Sequence, residues 1–244
     1  MTPHLPLKGR LLLLPVPLSP EGGAMDLPGR TLDALRTLRH FVVENAKTAR
    51  RVLKACGHPL PLASLHMAVL DAHTPEQDVP ALLAPLAAGY DLGLMSEAGC
   101  PAVADPGARL VRLVHAQNGT VLPLGGPSSL LLALMASGLE GQRFAFHGYL
   151  PVEAHARRSR ILQLEHRSRQ EQETQLLIET PYRNRVLWTA LLESLAPETL
   201  LCLGLALSTP EQEVHTRTVG EWRRHPEKII LERRPCVFLF LAQC

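Results

Sequence analysis

Aromatic side chains are scarce, at 4% of 244 residues, and none interrupts the arginines of the basic stretch HARRSRILQLEHRSR. An interleaved aromatic and basic surface of the kind that stacks and neutralises nucleic acid is therefore not written into that segment. Long apolar runs are missing too. Residues 130–136 and 237–242 are among the longest, far short of the roughly 18 to 20 residues a membrane helix needs, so no membrane span is expected. Charge of one sign is also lacking. A formal net charge of +2 neither demands nor excludes a polyanionic partner. The five cysteines, Cys56, Cys100, Cys202, Cys236 and Cys244, form no CxxC pair and are odd in number. This argues against a disulfide framework and a zinc cluster, so no metal is expected and a reducing cytoplasm fits. Lys8 and Arg10, then LLLLPVPL, then Gly22, Gly23 and Ala24 have the rough layout of a secretory signal. Pro15 and Pro17 interrupt that run, and a first buried strand explains it equally well.

The hydrophobic share is 46%, enough for two modest cores, and two α/β domains are expected, at 1–124 and 125–244. Residues 10–14 read as a strand, followed by the Pro-rich loop PVPLSP and a helix carrying Leu32, Leu35 and Leu38 on one face. Residues 41–44 are a strand, and Asn45 is placed to cap a helix that stops at Gly57. Residues 62–66 read as a strand, and Thr74, Pro75 and Gln77 as a capping-box start for a helix ending near Gly89. Strands at 90–95 and 120–124 complete five that alternate with helices, which implies a mostly parallel sheet covered on both faces. In the second half, strands are expected at 144–149, 175–179, 200–207 and 236–242, with helices at 130–137, 153–170 and 181–195.

The densest local signal is SEAGCPAVADPG at 96–107, between an apolar strand and a helical pattern. Asp105, Pro106 and Gly107 supply an N-cap, an N1 proline and a small residue, so backbone N–H groups should gather at the carboxyl edge of a sheet, where open α/β folds bind small ligands. The turn GGPSS at 125–129 repeats this logic before the next helix.

Taken in order, PVPLSP, SEAGCPAVADPG, PLGGPSS and IETPYR resemble the tetrapyrrole methylase superfamily of S-adenosylmethionine-dependent methyltransferases. The resemblance covers nearly the whole chain. It is nearest to the branch that methylates cytidine ribose in small-subunit ribosomal RNA, whose segments read approximately PTPIGN, SDAGTPxxxDPG, PLPGPSA and ESPHR. It implies a homodimer of two-domain α/β subunits with S-adenosylmethionine in a cleft between the domains. It also implies that Pro15, Ser96, Ala98, Gly99, Ala102, Val103, Gly126, Ser128, Ser129, Thr180, Ala206, Leu207 and Pro235 contact the donor. Small side chains at Ala98, Gly99, Ala102 and Gly126 would permit close backbone approach, and Ser128 and Ser129 could serve a polar end of the ligand.

The departures fall on the acceptor side, apart from one in the donor loop. Ser19 and Pro20 stand where the family has a glycine and an asparagine, the family's EDTR is Glu44, Asn45, Ala46 and Lys47, and Cys100 replaces a threonine. Ser19 and Lys47 become candidate substrate contacts, with Arg157, Arg158 and Arg183 for RNA phosphates. A base near the acceptor hydroxyl would help methyl transfer, and Glu44 and His66, both at expected strand ends, are the candidates. Three readings stay open: an RNA methyltransferase, a methyltransferase of a tetrapyrrole or other small molecule, and a paralogue that binds S-adenosylmethionine without turnover.

Overall fold

A computed structural model describes residues 6–224, 231 and 233–243. Contacts divide the chain into two units, 1–128 and 129–244, four residues beyond the boundary expected after Leu124. The GGPS turn belongs with the first unit because Leu124 N–H donates to the Leu13 carbonyl and Thr31 Oγ1 to the Gly125 carbonyl.

In the first unit, strands β1 (Arg10–Leu13), β2 (His40–Val43), β3 (His66–Val69), β4 (Leu92–Met95) and β5 (Thr120–Pro123) alternate with helices α1 (Gly29–Thr37), α2 (Ala46–Ala55), α3 (Ala84–Ala87) and α4 (Ala108–Ala116). The order is β3-β2-β4-β1-β5, and every pairing is parallel. Successive strand residues face opposite sides. Leu12, Leu14, Phe41, Val43 and Met95 pack with Leu35, Ala49, Leu53 and Cys56 on one face, while Leu11, Val42, Leu92 and Leu94 pack with Leu83, Leu86, Leu110 and Val114 on the other. Gly93 lacks a side chain because a Cβ there would lie 2.6 Å from Leu14 Cδ1. This is the doubly covered parallel sheet that the alternation implies. Its loops at 14–28, 44–45, 70–75, 96–107 and 124–128 all leave the carboxyl edge.

Two local expectations fail. Thr74 caps nothing: its hydroxyl donates to Asp71 Oδ1, and a 3-10 helix at Glu76–Leu83, carrying Pro80, leads into the four-residue α3. Proline removes a helical donor and clashes with the preceding turn, so the long α-helix does not form. The third strand starts at His66 instead of ending there, since residues 62–64 are a single 3-10 turn.

In the second unit, α5 (Ser129–Ser137), β6 (Phe144–Phe146), α6 (Ala154–Glu171), β7 (Thr174–Ile178), α7 (Asn184–Ser194), β8 (Leu200–Leu205), β9 (Glu213–Thr218), α8 (Val219–Arg224) and β10 (Cys236–Leu241) build a sheet of order β6-β7-β10-β8-β9. Only β6 and β7 run parallel; β10 is antiparallel to β7 and β8, and β9 to β8. Helix α5 supplies Ala133 and Leu134 to one face, and α6, α7 and α8 supply Ile161, Leu164, Leu187, Leu191 and Trp222 to the other. Strand β9, EVHTRT, has no counterpart in the sequence expectation, because an edge strand beside solvent carries too little apolar residue to show.

Candidate functional site

The carboxyl edge of the first sheet gathers three loops. Val16 and Gly99 exchange backbone hydrogen bonds of 2.9 and 3.1 Å, which clasps the Pro-rich loop to the SEAG loop. Gly99 sits at φ +70°, where a side chain is strained, and a Cβ there would approach Leu18 Cδ2 to 3.2 Å. The third loop closes on both. A Cβ on Gly126 would lie 2.2 Å from the Pro15 Cβ, and the Cys100 thiol reaches the Pro127 carbonyl at 3.5 Å. Pro15, Gly99, Cys100, Gly126 and Pro127 are thus brought together by close backbone approach, with Ser128 next in the chain. Ser19 begins a turn, its carbonyl accepting Gly22 N–H.

Internal bonds hold the 96–107 loop. The Ser96 hydroxyl is buried and donates to the carbonyls of Ala98 and Gly99. Ala102 and Ala104 occupy left-handed backbone at φ 66° and 59°, a conformation that costs an alanine roughly 1–2 kcal/mol. Asp105 offsets that cost. One of its oxygens accepts Ala102 N–H at 2.8 Å and the other Gly107 N–H at 2.6 Å, so the aspartate clamps the loop while Gly107 takes the cap position of α4. Ala98 and Val103 are left exposed at the loop's surface. Burial raises the Asp105 carboxyl above its ordinary value, against the two N–H donors.

Acidic groups dominate this edge. Glu44 follows β2, Asp71 follows β3 by two residues and Glu97 follows β4 by two. Glu44 accepts the Glu97 N–H at 3.1 Å, and its carboxyl is pushed up chiefly by burial and further by Asp105, Glu97 and Asp71. Beside it, Asn45 caps α2 by accepting the N–H groups of Lys47 and Thr48 at 2.9 and 3.2 Å, leaving the Lys47 side chain exposed.

His66 is not part of this group. It opens β3, opposite His40 at the start of β2, so it lies on the amino edge. Four strand residues at about 3.3 Å each, about 13 Å in all, separate that edge from the carboxyl one. The expectation that His66 shares an edge with Glu44 failed because it took residues 62–66 for a strand.

In the second unit, antiparallel register gathers another set. The end of β8 and the start of β10 meet where Ala206 N–H donates to the Pro235 carbonyl at 2.9 Å, and Val237 pairs with Ile178 at the end of β7. Thr180, Ala206, Leu207 and Pro235, far apart in sequence, therefore lie along one edge, and Ser129 opens α5. Thr180 bonds to Glu179 Oε1 through both its N–H and its hydroxyl. Of the arginines, Arg158 is exposed. Arg157 is buried, with its guanidinium donating to the Pro151 and Val152 carbonyls, and it braces the entry to α6 instead of facing RNA. Arg183 is held by Glu179 at 3.1 Å.

Sequence reasoning missed two features of the site: the clamp by Asp105 and the acidic edge of Asp71 and Glu97. A visible signal existed for the second, since each acid lies two residues beyond a strand end. Among the described residues, no group of three or more His, Cys, Asp or Glu could hold a metal ion. Cys56, Cys100, Cys202 and Cys236 are free thiols, and Cys244 lies outside the described residues.

No family model matches the chain. Among curated proteins, ribosomal RNA small subunit methyltransferase I of Xylella fastidiosa is 38% identical over 151 residues, 62% of this chain and 54% of that protein. The protein of the same name from Pseudomonas aeruginosa is 34% identical over 73% of this chain and 57% of its own length. That of Mesorhizobium japonicum is 31% identical over 223 residues, 91% of this chain and 72% of its own. The chain belongs to the ribosomal RNA small subunit methyltransferase I family. It spans little more than half the length of the first two relatives. Solved structures agree in fold: uroporphyrin-III-C-methyltransferase from Thermus thermophilus has a TM-score of 0.55 at 18% identity, covering 97% of this chain and 93% of its own. The methyltransferase CobJ has a TM-score of 0.61 at 17% identity, covering 96% and 94%. The tetrapyrrole methylase architecture read from the four motifs is therefore the architecture found. No helix among the described residues is long and apolar enough to cross a membrane.

Proposed function

We propose that this member of the ribosomal RNA small subunit methyltransferase I family transfers a methyl group from S-adenosylmethionine to a ribose hydroxyl of small-subunit ribosomal RNA. One observation carries the reading: the Val16–Gly99 clasp, with Gly126 against Pro15, leaves no room for side chains where three loops converge. A site of this kind presents backbone groups to a compact ligand. The acidic edge fits the donor as well, because the donor is a sulfonium cation and Glu44, Asp71, Glu97 and Asp105 surround the loops with negative charge.

When bound, the donor supplies an activated methyl group. Ala98, Gly99, Ala102 and Val103 form the wall it would lie against, and Ser128 and Ser129 offer N–H groups and hydroxyls to its carboxylate. Thr180, Ala206, Leu207 and Pro235, along one edge of the second unit's sheet, keep the donor-binding role that the family resemblance implies. Glu44 is the base. Burial and the neighbouring acids raise its carboxyl above the ordinary value, which strengthens it as an acceptor for the proton of a hydroxyl. Ser19, Lys47, Arg158 and Arg183 are assigned to the RNA, Arg183 after release from Glu179. By the family resemblance the protein is a homodimer, which sedimentation of the purified chain tests, and five cysteines with no CxxC pair suit a reducing cytoplasm.

Calorimetry with S-adenosylmethionine, followed by labelled methyl transfer to small ribosomal subunits from a strain lacking this protein, tests the reading. Saturable donor binding and label in ribosomal RNA are expected. Absence of binding overturns the assignment, and binding without transfer to RNA leaves a donor-binding paralogue.

A further inference from the structure

We propose that the amino edge of the first sheet is a contact surface for single-stranded RNA, on which an unpaired base extends a ring stack formed by Tyr90, His40 and His66. The proposal rests on the ribosomal RNA reading above but concerns a different edge from the donor loops.

The stack follows from strand register. His40 pairs with His66 across β2 and β3, and with Leu92 across β2 and β4. Tyr90, two residues before Leu92, falls on the same side as Leu92. The rings form a row across three strands: His40 lies 4.7 Å from His66 at an interplanar angle of 10°, and 4.8 Å from Tyr90 at 30°. Burial does not account for this row. Tyr90 is 57% exposed and His66 is exposed, so both outer members of the stack are open to solvent.

Charge separates the two edges of the sheet. Lys8, Arg10 and Arg39 lie at or within two residues of strand starts on this edge, and the carboxylate beside them, Asp91, is already matched by Arg10 at 2.5 Å. Lys8 and Arg39 are exposed. The opposite edge carries Glu44, Asp71, Glu97 and Asp105 against the exposed Lys47 and an Arg109 already paired with Glu76, so its balance is acidic and disfavours a phosphate backbone. A polyanion that delivers one nucleotide to an acidic edge needs its phosphates held elsewhere, and the cationic edge offers that hold. Helices α2 and α4 also end on this side, and their carbonyl ends favour nearby cations. That effect explains the charges and leaves the exposed stacked rings unexplained. Flat rings beside cations suit a sequence-tolerant single strand, because every base has a face to stack.

Fluorescence anisotropy with a fluorescein-labelled oligouridylate tests the surface in the full chain, alongside calorimetry with S-adenosylmethionine. Tyr90→Ala and His66→Ala are each expected to weaken RNA binding about tenfold, with donor binding and melting temperature unchanged. Tyr90→Phe, which keeps the ring, is expected to bind as the natural protein does. Lys8→Ala with Arg39→Ala should lower the slope of log affinity against log salt by about 1.4. The proposal is overturned if the natural chain does not bind the oligonucleotide, if both alanine variants bind it normally, or if Tyr90→Phe is as weak as Tyr90→Ala. Loss of donor binding by the natural chain would overturn the methyltransferase reading and leave the RNA result intact.

Discussion

At the residue scale, Glu44 trades stability against the site, whereas Gly126 serves both. Burial and the neighbouring acids hold Glu44 above its ordinary 4.5, so the unfolded chain loses this proton first. Stability from the group is accordingly lost as pH rises above 4.5 through the folded value. Glu44→Gln should raise the melting temperature at about pH 7 and leave it unchanged at about pH 3, while abolishing label transfer to ribosomal subunits. A scanning calorimetry series at both pH values reads the first part. Gly126→Ala does the opposite. With 2.2 Å between the new Cβ and that of Pro15, the loops must part, at a cost of about 1–3 kcal/mol. Urea unfolding should show that loss, and S-adenosylmethionine should bind more weakly even to the folded fraction.

At the scale of elements, helix ends decide how the site loops are held. Asn45 accepts two N–H groups at the start of α2, directly after Glu44, so the cap fixes the backbone that carries the base. Asn45→Ala should cost about 1 kcal/mol in urea unfolding, and Asn45→Asp should restore it. Asp105 does the equivalent work for the 96–107 loop without being a helix cap, since its bonds go to Ala102 and Gly107 N–H. The sequence pattern of Asp, Pro and Gly is the same for a cap and for a loop clamp. What separates them is the left-handed backbone at Ala102 and Ala104, which no alanine announces.

For the whole molecule, pH acts on both units through histidines held neutral. His40 is lowered by burial, then by His66 and Arg39. His147 in the second unit is lowered by burial, with Arg160 and Arg167 adding to it and the Gln175 hydrogen bond opposing. Unfolding lets each take a proton nearer the ordinary 6.5. The unfolded state thus binds more protons below that value, and stability falls as pH drops through it. Urea midpoints measured from about pH 7.5 down to about pH 5.5 should decline, and His147→Gln should flatten the decline.

The sequence by itself determined the first unit's sheet, because strands buried on both faces must be apolar and five of them alternate with amphipathic helices. It also determined the family, through four short segments whose glycines, prolines and serines mark close backbone approach. Tertiary structure alone decided which residues share an edge. A register shift of a few positions moved His66 from the carboxyl to the amino edge, because a strand's two ends look alike in composition while lying on opposite sides of the sheet. Folding also buried Arg157, whose charge reads as exposed until the Pro151 and Val152 carbonyls are placed beside it. Antiparallel pairing brought Thr180, Ala206 and Pro235 together across more than fifty residues of chain, since strand order is set by how faces pack and not by adjacency in sequence.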